Sequence, residues 1–130
     1  MALFQRLCKK VLIPVCRKKY YSMHYRMWDY IAVHLYYDSD ELLNNANYIG
    51  RLKKTFLELN NCKKVYLNCF LCDLYYGTRK EPPKCVGCPL YKLQHKTCLA
   101  HDSLFNIVDS TFNERDKRIE AAKKIRDCVL

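Results

Sequence analysis

Residues 69–98 read CFLCDLYYGTRKEPPKCVGCPLYKLQHKTC. Two Cys-x2-Cys pairs, Cys69 with Cys72 and Cys85 with Cys88, are twelve residues apart, and Cys98 follows after nine more. Each pair forms a tight turn that points two thiolates in one direction, and two such turns close a tetrahedron. Four thiolates suit zinc, whose binding energy substitutes for apolar core in a loop-rich segment. An iron–sulfur cluster accepts the same donors and is the alternative cofactor. The expected ligands are Cys69, Cys72, Cys85 and Cys88, with Cys98, His95 and His101 as alternates. For the two histidines the plainer reading is an exposed or hydrogen-bonded side chain. Gly87, just before Cys88, is expected to let backbone N–H groups approach the sulfurs. Gly77, Pro82, Pro83, Gly87 and Pro89 mark residues 62–98 as turn and knuckle.

Outward from this segment the pattern is helical. Towards the N-terminus, Leu42, Ala46, Ile49, Leu52, Phe56 and Leu59 recur at three- and four-residue steps, so one helix is expected from Ser39 to about Asn60. Asp38 and Glu41 have the form of a capping box at its start, and Gly50 inside it either weakens the helix or permits a close contact. Before it, Tyr25, Trp28, Ala32 and Leu35 form one stripe and Met23, Met27, Tyr30 and His34 another, which predicts a central helix from Ser22 to about Tyr36. Leu3, Leu7 and Val11 suggest a short basic helix that ends at Pro14. Beyond the cysteines, Asp102 or Ser103 can cap a last helical region whose apolar face holds Leu104, Val108 and Phe112, then Ile119, Ala122 and Ile125. The expected fold is therefore mainly α: one small helical domain over 1–130 with a zinc-knuckle or zinc-ribbon-like cysteine insert. Its parts are a basic, aromatic helical part (1–61), the cysteine metal-binding segment (62–101) and a C-terminal helical part (102–130).

At 130 residues the chain has room for one modest core. Its 23 basic and 13 acidic residues leave a net charge of +10, which attracts polyanions or acidic protein surfaces. The charge is uneven. Residues 1–28 hold Arg6, Lys9, Lys10, Arg17, Lys18, Lys19 and Arg26 and no acid. The longest apolar stretch, Val11 to Cys16, falls far short of the roughly 18 residues that a membrane span needs, and Pro14 interrupts it. Arg6, Lys9 and Lys10 also make the start a poor signal peptide. A cytoplasmic protein without a membrane partner is expected, and a reducing compartment makes closely paired cysteines metal ligands rather than disulfides.

The cluster Cys69-x2-Cys72, Cys85-x2-Cys88-Pro89-Leu90-Tyr91 and Cys98, followed by a helical tail, resembles small bacteriophage accessory proteins of mostly unknown role. The resemblance covers about residues 65–128. Such proteins often place a glycine shortly before the last cysteine, where this chain has His95-Lys96-Thr97. It implies a viral protein that binds and redirects a host component, in host takeover or anti-defence, and, if phage-encoded, one acting in the host cytoplasm.

Catalysis has little support. His24, His34, His95 and His101 stand in no local motif that supplies a nucleophile or an oriented acid. The expectation is a non-enzymatic inhibitor or adaptor that binds a host nucleic-acid-handling protein, or its nucleic acid, through a basic surface. That surface comprises Arg6, Lys9, Lys10, Arg17, Lys18, Lys19, Tyr20, Tyr21, Arg26, Arg51, Lys53 and Lys54. The alternative is a zinc-stabilised regulator that binds DNA or RNA directly, its cations on phosphates and its tyrosines stacked on unpaired bases. The plainer reading of the many tyrosines is packing.

Overall fold

The computed structural model describes residues 13–62, 65, 68–77 and 87–130, and every regular element among them is helical. Three expected features lie outside the described residues: the short basic helix before Pro14 with Arg6, Lys9 and Lys10, the turn residues Pro82 and Pro83, and the expected ligand Cys85.

Helix α1 spans Ile13–Tyr37, starting earlier than the expected Ser22. Proline in a first turn has no needed N–H to lose and a φ suited to the helix, so Pro14 is accommodated as the second residue of α1. Cys16, Tyr20, Met23, Met27, Ile31 and Leu35 are buried at three- and four-residue steps, with His24, Trp28 and Ala32 beside them. The two expected stripes are therefore the margins of one broad buried face centred on His24 and Ile31.

Helix α2 is the short turn Asp40–Leu43, capped by Ser39, whose Oγ accepts from the Leu42 amide. Asp38 does not cap it as expected. Its carboxylate instead accepts from the Tyr48 hydroxyl and pairs with His34 Nδ1 at 3.1 Å. Helix α3 then spans Tyr48–Leu59. The single helix expected from Ser39 to Asn60 is broken because Asn45 Oδ1 accepts from the Asn47 amide at 2.9 Å, and this local turn competes with the helical ladder. Gly50 permits no close contact, since a Cβ there would meet nothing within 4 Å.

The cysteine segment builds helical turns. Helix α4, Phe70–Cys72, continues into one π-helical turn over Asp73–Gly77, and α5 spans Pro89–Gln94. A zinc ribbon needs a strand hairpin, and no strand occurs among the described residues. Gly87 does not adopt a positive φ, so its expected conformational role is not used; a Cβ there would lie 3.5 Å from the Tyr75 ring.

The expected C-terminal region is two helices, α6 over Leu104–Asp109 and α7 over Arg115–Asp127. Ser103 Oγ caps α6 by accepting from the Asn106 amide at 3.1 Å. Phe112 falls in the connection between them and is 99% exposed, so it is no part of the apolar face.

Helix α7 packs along α1, α6 rests on α7, and α3 and α4 complete the cover over α1. Phe70 joins the layers, meeting the Tyr20 and Phe56 rings edge-on with centroids 6.4 Å and 6.3 Å away. Two arginines of α7 hold the helix ends. Arg115 Nη1 donates to the carbonyls of Leu35, Tyr36 and Asp38 at 2.8, 3.2 and 2.7 Å. Arg118, 2% exposed, donates to the Val108 and Leu43 carbonyls at 2.7 and 2.9 Å. Such partners satisfy terminal carbonyls that a helix leaves unpaired.

Candidate metal centre

The described cysteines of the segment sit where short helices begin or end. Cys69 is the N-cap of α4, its Sγ accepting from the Cys72 amide at 3.4 Å. Cys88 is the N-cap of α5, with Pro89 in the first helical turn. Cys98 lies in the turn between α5 and α6, where its carbonyl accepts from Ser103 Oγ at 2.8 Å, so the residue that caps α6 also anchors this turn.

Cys69, Cys72 and Cys98 line one cavity of about 220 Å³, closed by Trp28, Lys53, Leu90 and Phe105 and bordered by the exposed Leu99. Cys88 stands within electrostatic reach of Cys72. The Cys72 thiol hydrogen-bonds to Cys69, which with Lys53 and nearby amides holds Cys69 below the usual thiol range. The same bond, with burial, drives Cys72 upward. Cys69 is thus the sulfur best prepared to carry a thiolate. Among the described residues, no group of three or more His, Cys, Asp or Glu side chains is placed to hold a metal ion.

Lys53 belongs to this site and not to the outer surface where it was expected. It is 6% exposed, with its ammonium 4.3 Å from the Phe105 ring centroid and 5.2 Å from that of Trp28. Burial lowers its pKa, while Cys69, Cys72, Cys98 and Asp109 act in the opposite sense. A signal existed in the sequence: position 53 falls on the inward stripe of Ile49, Leu52 and Phe56.

Two more groups adjoin the cluster without any sequence signal. His24 is fully buried, its Nε2–H donating to the Ile125 carbonyl at 2.7 Å with Cys128 Sγ 3.6 Å away. Its Nδ1 has no hydrogen-bond partner, and burial lowers its pKa to about 4. Burial pushes the Cys128 thiol up to about 12, with Cys88, Cys69 and Cys98 contributing. The alternate ligands His95 and His101 are exposed, His95 in the left-handed conformation that ends α5. Cys62, Cys69, Cys72, Cys88, Cys98 and Cys128 carry thiols, whereas Cys16, outside the paired cluster, is disulfide-bonded.

Of the expected partner surface, Arg17, Lys18, Lys19 and Arg26 are exposed on α1, and Arg51 and Lys54 on α3. Arg26 donates to Asn60 Oδ1 at 3.0 Å. Tyr20 is fully buried and its hydroxyl donates to Asp73 at 2.6 Å, which removes it from that surface. Tyr21 is half-buried, its hydroxyl 2.7 Å from that of Tyr75. No helix among the described residues is long and apolar enough to cross a membrane.

Compared with family models, curated proteins and solved structures, the chain matches none.

Proposed function

We propose that this protein is a non-enzymatic binding protein, a phage accessory or anti-defence factor that docks a basic surface on a host nucleic-acid-handling protein or its nucleic acid. A cysteine-ligated metal, zinc or alternatively an iron–sulfur cluster, holds the helices that present this surface. The observation that carries the reading is how the cations are used. Lys96, Arg115 and Arg126 are neutralised by Asp102, Asp40, Asp29 and Asp127. Among the described residues no ion pair engages Arg17, Lys18 or Lys19, which stand exposed in succession on α1. Clustered cations without counter-charges generate an attractive field for an acidic partner.

A protein partner is favoured over direct reading of single strands. Stacking requires exposed rings beside the cations, yet Tyr20 is interior and Tyr21 is half-buried against Tyr75. The strongly exposed tyrosines of α1, Tyr36 and Tyr37, are about 27 Å further along the helix from Lys18, at 1.5 Å per residue.

The test replaces Arg17, Lys18 and Lys19 together by glutamate and measures capture of host proteins from a nuclease-treated lysate beside mobility shifts on DNA and RNA. The expected result is one stoichiometric protein, captured by the natural chain and lost with the triple variant at unchanged melting temperature. Binding to generic nucleic acid that falls linearly with salt on logarithmic axes, with no protein captured, replaces this reading with the direct nucleic-acid regulator. Binding unaffected by the triple variant removes the basic surface from either account.

A further inference from the structure

We propose that the cavity lined by Trp28, Lys53 and Phe105 is a binding site for a small organic carboxylate with an apolar body, an aromatic or short-chain acid whose charged end meets the Lys53 ammonium. The inference goes beyond the reading above and needs no metal, since Cys69, Cys72 and Cys98 enter it as free thiols.

Shape sets the size of the occupant. The cavity holds about 220 Å³, and beside Lys53 and the three cysteines its walls are Trp28, Leu90, Leu99 and Phe105. An apolar cavity of roughly 150 Å³ already admits benzene, so this one has room for a ring or a short alkyl chain that carries a carboxylate. A nucleotide is too large for it. Leu99 is 86% exposed, so the cavity reaches the surface at that border and a ligand can enter without opening the core.

Charge sets the chemistry. Lys53 is 6% exposed, yet among the described residues no carboxylate forms an ion pair with it. The faces of Trp28 and Phe105 offset part of its desolvation, because the attraction of a cation to a ring recovers less than the hydration lost. The groups that favour its charge from further off are Cys69, Cys72, Cys98 and Asp109, while His24 nearby is kept neutral by burial. A thiol answers an ammonium only by giving up a proton inside the core. A carboxylate arrives already ionised, its ordinary pKa being about 4, and a hydrogen bond between two charged groups is roughly twice as strong as one between neutral groups. Cys69 is disposed to ionise, and Lys53 is one cause of it; a bound carboxylate takes over that role and leaves the sulfur its proton. A cationic ligand would instead meet Lys53 as a like charge. The walls come from α1, α3, α5 and α6, so an occupant would also tie the short helices of the cysteine segment to the longer ones.

Trp28 is the only tryptophan in the chain, so its fluorescence reports what enters the cavity. The full-length chain, kept reduced and at constant ionic strength, is titrated with benzoate and hexanoate, with benzamide as the neutral control and benzylamine as the cationic one. Both carboxylates are expected to give a saturable change in emission and a rise in melting temperature; benzamide is expected to bind at least about 10-fold more weakly, and benzylamine not at all. Lys53→Met should weaken benzoate at least about 10-fold and abolish its advantage over benzamide, whose unchanged binding shows that the variant keeps the cavity. Leu99→Asp, a change at an exposed position, should weaken the carboxylates several-fold and leave benzamide alone. Replacing Arg17, Lys18 and Lys19 by glutamate should leave benzoate binding intact, which separates the cavity from the exposed cations. Equal binding of benzoate and benzamide by the natural chain, or carboxylate binding untouched by Lys53→Met, overturns the proposal. So does the absence of a saturable response to either carboxylate. None of these results bears on the basic-surface reading, which the capture experiment tests separately.

Discussion

Replacing His24 by glutamine isolates what the buried imidazole does to this protein in mild acid. Its Nε2–H is committed to the Ile125 carbonyl at 2.7 Å, so the neutral ring presents a bare Nδ1 to the interior, and that atom has no partner. Protonation would place a cation there, near Lys53, whose charge also opposes it. Burial is the larger cause, and together they lower the pKa from 6.5 to about 4. Between those values the unfolded chain binds the proton and the folded one does not, so stability falls as pH drops from about 6.5 towards 4. The full shift corresponds to about 3.4 kcal/mol, of which about 2 kcal/mol is lost between pH 7.5 and pH 5. Glutamine can keep an N–H donor for Ile125 and does not titrate. In urea denaturation at the two pH values, the natural chain is expected to lose about 2 kcal/mol more than His24→Gln, whatever the shared acid response of thiols and carboxylates. Equal losses in the two proteins would refute the assignment of a neutral, unpartnered imidazole to the core.

Two further changes test the packing. Gly50→Ala on α3 should raise stability by about 0.5–1 kcal/mol, because the new methyl meets nothing within 4 Å and alanine loses less backbone entropy in a helix; thermal denaturation reads this directly. Arg115→Met should lower stability by about 1–3 kcal/mol by releasing the Leu35, Tyr36 and Asp38 carbonyls together, with the end of α1 showing faster amide hydrogen exchange.

The stripes around Trp28 and along α3 were legible because burial on one side of a helix writes a period of 3.6 into the sequence. The break at Asn44 to Asn47 was harder to read, since Leu42, Ala46 and Ile49 keep the helical step through it; the asparagine run was the available signal. The start of α1 ahead of Ser22 was not legible, because a proline in a first turn and a proline past a last turn look alike until the helix itself is placed. Tyr20 shows the same limit on the functional side. Its neighbours Arg17, Lys18 and Lys19 are exposed, yet one step around the helix it enters the core and meets Asp73.

Cysteine spacing, charge and helical periodicity are local properties, and from them the sequence alone determined a mainly helical chain with a cysteine-rich insert and an acid-free basic segment at its start. Which cysteines converge is not local. Cys98, Cys128, His24 and Lys53 come from four separate stretches, and only the packing of α1, α3 and α7 brings them to the Cys69 and Cys72 turn. Lys53 changes meaning in the process: by composition it is one more cation for a partner, whereas buried between two aromatic rings and three cysteines it becomes a charge that the interior must answer.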